Sequence, residues 1–211
     1  MTYEATLKRL SENSKDILLR AWAAVERGDL PKAVFPNIAA EIVAIANERG
    51  RAAAEIALNG YMIAAVGEVT PPVVVAAVVD DRARLGKAFA TILDSDQDII
   101  MQLERIGVAE PLEAAANRMS EGIQQDGRVK GWVREMEAGA CQLCRWWWRE
   151  GREWPAEHPM PIHKGCACTQ LPITRDAIAS TAYTRKLERA KVDDHYRELS
   201  KQQLAEEGAE S

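Results

Sequence analysis

The chain has 211 residues, of which 47% are hydrophobic and only 6% aromatic, with a formal net charge of −5. That length suits one large domain or a domain with appendages, and an alanine-rich, aromatic-poor composition favours helices over a β-sandwich. The negative balance excludes a protein that coats nucleic acid by neutralising phosphates, while leaving room for a local basic patch.

The segment after Met1 is charged and amphipathic, so no secretory signal is expected. Leu7, Leu10, Ile17, Leu18, Ala21, Trp22 and Val25 recur at three- and four-residue steps, predicting a helix from about Tyr3 to Arg27 that Gly28-Asp29 ends. A second helix is expected over 36–59, with Ile38, Ile42, Ile45, Ala52, Ala53 and Ile56 facing inward. Tyr61 to Val66 reads either as its continuation or as a break, because Gly60 and Gly67 flank it.

Thr70-Pro71-Pro72 has the look of a helix start, since threonine caps and proline fits the first turn. That helix is expected to run to about Leu93. Its apolar tract Val73 to Val79 is too short to span a bilayer, which needs about twenty residues. Asp94-Ser95-Asp96 then caps a helix from Gln97 to Ile106, Gly107 to Pro111 interrupts it, and Leu112 to Gln125 resumes with Leu112, Ala115, Ala116, Met119 and Ile123 on one side.

Asp126-Gly127 is a turn signal, and the texture changes there. Val129 to Met136 alternates as a short strand, with Trp132, Arg134 and Met136 on one face. Regular structure should be sparse from Cys144 to Pro172, and Ala177 to Glu207 reads as one charged, solvated helix. The predicted fold is mainly α: a helical region over 1–126, a small irregular module over 127–175 held by zinc, and a helical tail over 176–211.

All four cysteines lie between Cys141 and Cys168, together with two of the three histidines, His158 and His163. A C-x2-C pair at Cys141 and Cys144, followed about twenty residues later by H-x2-C at His163 and Cys166, lets two tight turns meet around one tetrahedral ion. Cys141, Cys144, His163 and Cys166 make a Cys3His zinc set; Cys168 can replace either His163 or Cys166, and His158 is a sixth, more remote candidate. Without an export signal, metal ligation is preferred over disulfides in a soluble, intracellular protein. A catalytic zinc would need an open position and a general base, and H-E-x-x-H is absent. Zinc deaminases place H-x-E before P-C-x2-C, whereas here the C-x2-C comes first and H-x-E is missing.

Trp146-Trp147-Trp148, with Trp132 and Trp154, hold five of the six tryptophans. Their large rings are expected to wrap the metal turns and dock them on the helical body. The other reading is a base-stacking or partner-binding platform, charged by Arg145, Arg149 and Arg152 and diluted by Glu150 and Glu153.

The run Cys141-Gln142-Leu143-Cys144, then Pro161-Ile162-His163-Lys164-Gly165-Cys166-Ala167-Cys168, then Pro172 resembles the C-terminal motif of the phage Mu F-like head morphogenesis, or minor capsid, proteins. The specific likeness spans about Val129 to Pro172; the helical region matches in kind. The family often carries C-R-C where this chain has Cys166-Ala167-Cys168, so no arginine role transfers there. The resemblance implies a structural, non-enzymatic virion component associated with portal and capsid proteins during head assembly in the host cytoplasm. It further implies action in packaging or delivering DNA; from the residues themselves no membrane association and no small-molecule substrate are expected. Two other readings stay open: a nucleic-acid-binding zinc module on a helical domain, and a head maturation protease or nuclease. The second has little chemistry behind it, because His195 lies beside Asp193 and Asp194 in the charged tail and no nucleophile is marked.

Overall fold

The hydroxyl of Thr2 accepts the N–H of Ala5 at 3.2 Å and caps the first helix, α1 (Tyr3–Glu26). The computed structural model describes residues 2–74 and 81–174. Within them α2 covers Phe35–Val66, α3 Asp81–Leu93, α4 Ile99–Gln125 and α5 Gln142–Trp148; β1 is Gly131–Glu135, β2 Glu153–Pro155 and β3 Thr169–Ile173. The protein is mainly α, with a small module built on the three strands at its C-terminal side. The expected tail helix over 177–207, and His195 in it, fall outside the described residues.

Tyr61 to Val66 continues α2, which ends at Gly67 in the left-handed region (φ 77°), whose N–H bonds Ile63 O at 3.0 Å. The inward face of α2 differs from the one expected. Ala39, Ala40, Val43, Ala44, Ala46, Asn47, Gly50, Ala54, Leu58 and Met62 are buried, whereas Ile45 and Ile56 are exposed and Ile38 and Ile42 only half-buried. Small residues won the core side because the neighbouring helices come so close. A Cβ on Gly50 would stand 2.5 Å from the carbonyl oxygen of Pro111 in α4.

The helix start expected at Thr70 is not present. Asn59 Oδ1 accepts from the N–H and hydroxyl of Thr70 at 2.8 and 2.7 Å, and Gln125 accepts from Val74 N–H and donates to its carbonyl at 2.7 and 2.8 Å. Residues 67–74 are thus held by side chains in a non-helical path, and Asp81 is the first described residue of α3.

Two corrections concern α4. Its cap is Asp98, which accepts from Met101 N–H at 3.1 Å, rather than the Asp94-Ser95-Asp96 cluster. Gly107 to Pro111 does not interrupt it: the helix runs unbroken from Ile99 to Gln125 with Pro111 inside. Proline removes one helical N–H donor, but packing overrides that loss. A Cβ on Gly107 would lie 2.8 Å from Lys15 Cα, so α1 crosses α4 at this glycine, and Leu103, Ala109 and Leu112 around it are buried.

Two apolar clusters fill the helical body. Leu18, Trp22, Phe35, Val43, Leu85, Phe89 and Leu103 form one, with Trp22 edge-on to Phe35 at 5.1 Å and Phe35 edge-on to Phe89 at 6.3 Å. The second joins Leu7, Ala54, Leu58, Met62, Leu112, Ala115, Met119 and Ile123 to Val129, Trp132, Trp154, Met160 and Ala167 of the module. From these pairings α1 and α3 run antiparallel to α2, and α4 runs parallel to it.

β1 lies central in the strand order β2-β1-β3, antiparallel to both neighbours. It sits inside the expected stretch Val129 to Met136; β2 and β3 were not foreseen, because Trp154 and Pro155 or Leu171 and Pro172 show no alternation in so few residues. Pro172 is tolerated because β3 is an edge strand. Trp132 stacks on Trp154 at 5.8 Å and donates its indole N–H to His158 O at 2.8 Å.

Candidate metal centre

Cys141 is the N-cap residue of α5, extended at φ −69° and ψ 169°, and Cys144 is the third residue of the helix. The C-x2-C half is therefore one tight turn into a helix, with Arg145 N–H on Cys141 O at 3.1 Å. The other half is a turn closed by Cys166 N–H on His163 O, also at 3.1 Å. Gly165 takes the left-handed conformation (φ 78°) that this turn requires.

The two turns face each other. His163 Nε2 lies 3.2 Å from Cys141 Sγ and 3.1 Å from Cys144 Sγ, and Cys144 Sγ lies 3.4 Å from Cys166 Sγ. All five expected ligands come together as two overlapping triads, Cys141–Cys144–His163 and Cys144–Cys166–Cys168, with the ligand atoms of each within 4.8 Å of one another. Cys144 belongs to both. For a tetrahedral zinc ion, bond lengths imply S···S edges of about 3.7 Å and S···N edges of about 3.5 Å, so these separations suit one small ion. His158 stands outside both triads; its ring packs at 4.5 Å from that of Trp154.

The tautomer of His163 follows from its second nitrogen. Nδ1 is 3.2 Å from the carbonyl oxygen of Lys164, which can only accept, so Nδ1 carries the proton and Nε2 presents its lone pair to the sulfurs. A ring nitrogen fixed in this way by a carbonyl is the usual support of a metal-bound histidine.

Electrostatics around the sulfurs differ from thiol to thiol. The backbone N–H of Cys144 holds the Cys141 thiol below its ordinary range. Burial pushes Cys144 up to about 12. A hydrogen bond between the Cys166 and Cys168 sulfurs raises the one thiol and lowers the other, so the pair keeps one proton between them. Sulfurs packed this closely ionise together only beside a cation, and a divalent ion would supply one. All four thiols are free, so the structure holds no disulfide between them.

One cation is built in. Arg134 on β1 is only 2% exposed, and its guanidinium reaches Cys166 Sγ at 3.9 Å, donates to Pro161 O and lies 5.2 Å over the Trp147 ring. Among the described residues it has no carboxylate partner. Sequence reasoning missed its role, although strand alternation places it on the same face as Trp132, where a basic residue is out of character.

No family model, curated protein or solved structure matches this chain. The geometry therefore has to speak for itself. The cluster can hold a metal ion, and hydrogen bonds and ion pairs brace the chain beside it. Glu137 accepts the N–H of Ala167 at 3.1 Å and pairs with Lys8 of α1 at 3.2 Å, Thr169 donates to Glu135 at 3.0 Å, and Lys164 pairs with Glu113 of α4 at 3.1 Å. The five tryptophans divide their roles. Trp132 and Trp154 dock the sheet on the helices, and Trp147 packs 6.0 Å from the His163 ring. Trp146 stays 63% exposed, and Trp148 is half-buried.

Proposed function

We propose that the chain is a structural minor head protein of a tailed phage, of the Mu F-like head morphogenesis kind, whose C-terminal module is set by one zinc ion. The observation that carries this reading is the meeting of the two motif halves. Cys141-x2-Cys144 and Pro161-x-His163-x2-Cys166-x-Cys168, separated in sequence, come together in a single cluster docked on a helical body.

Zinc fits the donor set because thiolate and imidazole at tetrahedral spacing favour it over ions that prefer oxygen. The proposed ligands are Cys141, Cys144, His163 and Cys166, with Cys168 beside them. Three thiolates and a divalent ion leave one negative charge, which the guanidinium of Arg134 balances; four thiolates would leave a second charge uncompensated. Four protein ligands close the coordination sphere, so the ion acts as a structural knot.

In this reading the knot presents a rigid face to portal and capsid proteins at the portal vertex, first in the host cytoplasm and then within the virion, where DNA is packaged and delivered. No described helix is long and apolar enough to cross a membrane. Proteomics of intact particles, with the protein located by imaging, tests the proposal. Detection at the portal vertex in a few copies supports it; absence from particles and from assembling heads refutes it.

A further inference from the structure

The short helix α5 divides its tryptophans between two environments. Trp147 turns toward His163 and Arg134. Trp146 and Trp148 instead line a concavity of about 670 Å³ together with Met136, Arg145, Arg149 and Glu150. Arg145 and Arg149 are exposed and make no ion pair among the described residues. Glu153, which in the sequence dilutes the charge of this stretch, belongs to β2 opposite Val133 and does not line the groove.

The backbone at the groove is unusual as well. Arg149 and Glu150 are consecutive non-glycine residues in the left-handed region, at φ 43° and 57°. Glycine is the ordinary occupant of a helix end of this shape. Here Arg149 stands at that position, with glycine delayed to Gly151, and strained side-chain-bearing residues of this kind collect at binding sites.

The chemistry narrows the occupant. An indole face is electronegative, so it attracts flat rings and cations rather than carboxylates. The two guanidiniums call for an anion, best a phosphate that accepts two parallel hydrogen bonds. A ligand that brings flat rings and anions in alternation along one chain is an unpaired polynucleotide. Duplex DNA hides its base faces, and a run of carboxylates such as polyglutamate has no ring to lay on the indoles.

We propose that this groove binds single-stranded nucleic acid, an unstacked base lying on Trp146 and Trp148 while Arg145 and Arg149 hold the adjoining phosphates. The site is local, which reconciles it with a chain of net charge −5. It does not depend on the assignment to a phage head. A metal ion held by Cys141 and Cys144 would anchor both ends of the turn from which α5 starts.

The test uses the full chain, with short oligothymidylate and oligouridylate at low salt, binding being read by tryptophan quenching and by anisotropy of the labelled oligonucleotide. Trp146→Ala should weaken binding by roughly 5- to 150-fold, the span for loss of one base–aromatic stack. Arg145→Gln and Arg149→Gln should each flatten the slope of log K against log salt by about 0.7. All three side chains are exposed, so unchanged circular dichroism and metal content would show that the variants fold. Tight binding of both oligonucleotides with these losses supports the site. No binding at low salt, binding unaffected by Trp146→Ala, preference for duplex, or displacement by polyglutamate at equal charge would each overturn it.

Discussion

Arg134 and Cys166 sit 3.9 Å apart inside the C-terminal module, a buried guanidinium against a buried sulfur. A buried charge without a counter-ion is strongly destabilising, and no described carboxylate serves Arg134. Among the described residues the sulfur cluster is the only surrounding that can become anionic, and the balance would close with three of the thiols ionised around a divalent ion.

Replacing Arg134 therefore reads out on the metal. Arg134→Gln should lower zinc affinity by about 10- to 100-fold, the usual effect of removing a group that supports the ligands. Arg134→Lys should recover part of it by restoring charge without the planar fork. Competition against a chromophoric chelator measures both, and an Arg134→Gln protein that holds zinc as tightly as wild type would remove the charge-balance argument.

Metal content separates the five ligand candidates. Purified, reduced protein should carry about one zinc per chain. Cys141→Ser, Cys144→Ser, His163→Ala and Cys166→Ser should each abolish stoichiometric zinc, whereas Cys168→Ser should keep it. Elemental analysis of the purified variants decides the matter; loss with Cys168→Ser and retention with Cys166→Ser would exchange the roles of those two residues.

Acid should weaken the junction between helices and module through Asp126. This carboxylate is 3% exposed, and hydrogen bonds from the Arg128 side chain, together with its N–H, hold it below its ordinary 3.8 despite burial. Because the folded value is depressed, the stabilisation is complete above about pH 4 and disappears as pH falls through the folded value. Asp126→Asn should cost about 1–3 kcal/mol at neutral pH and show a shallower decline in acid. Denaturant unfolding measured across pH checks this, and parallel curves for the two proteins would contradict it.

The crossing of α1 and α4 gives a test of packing. Gly107→Ala gains up to about 1 kcal/mol of helix propensity, but its methyl meets Lys15 Cα at 2.8 Å. Overpacking against backbone costs about 1–3 kcal/mol, so a net loss and a lower melting temperature are expected. A more stable Gly107→Ala protein would show that the helices separate easily.

Much of the architecture was legible in local pattern. The extent of α1, the apolar side of α4 from Leu112 to Ile123 and the position of β1 all follow from periodicity, which each segment carries by itself. The errors share one cause. Gly107 to Pro111 reads locally as an interruption, yet Gly107 meets the backbone of α1 and the Pro111 carbonyl meets Gly50 of α2, so these are places where backbones touch across helices. Thr70 reads locally as a cap, yet Asn59 and Gln125 hold its neighbourhood out of a helix from a distance in sequence.

The sequence by itself determined the helical class, and it marked Cys141, Cys144, His163, Cys166 and Cys168 as candidate ligands through residue type and spacing, because metal chemistry depends on few atoms at short range. Only the tertiary structure decided that Ala39, Ala44 and Gly50 rather than Ile45 and Ile56 face the core, and that Arg134 faces the sulfurs. It alone parted Trp147 from Trp146 and Trp148. These outcomes turn on how closely separate elements approach, a distance that no single stretch of chain encodes.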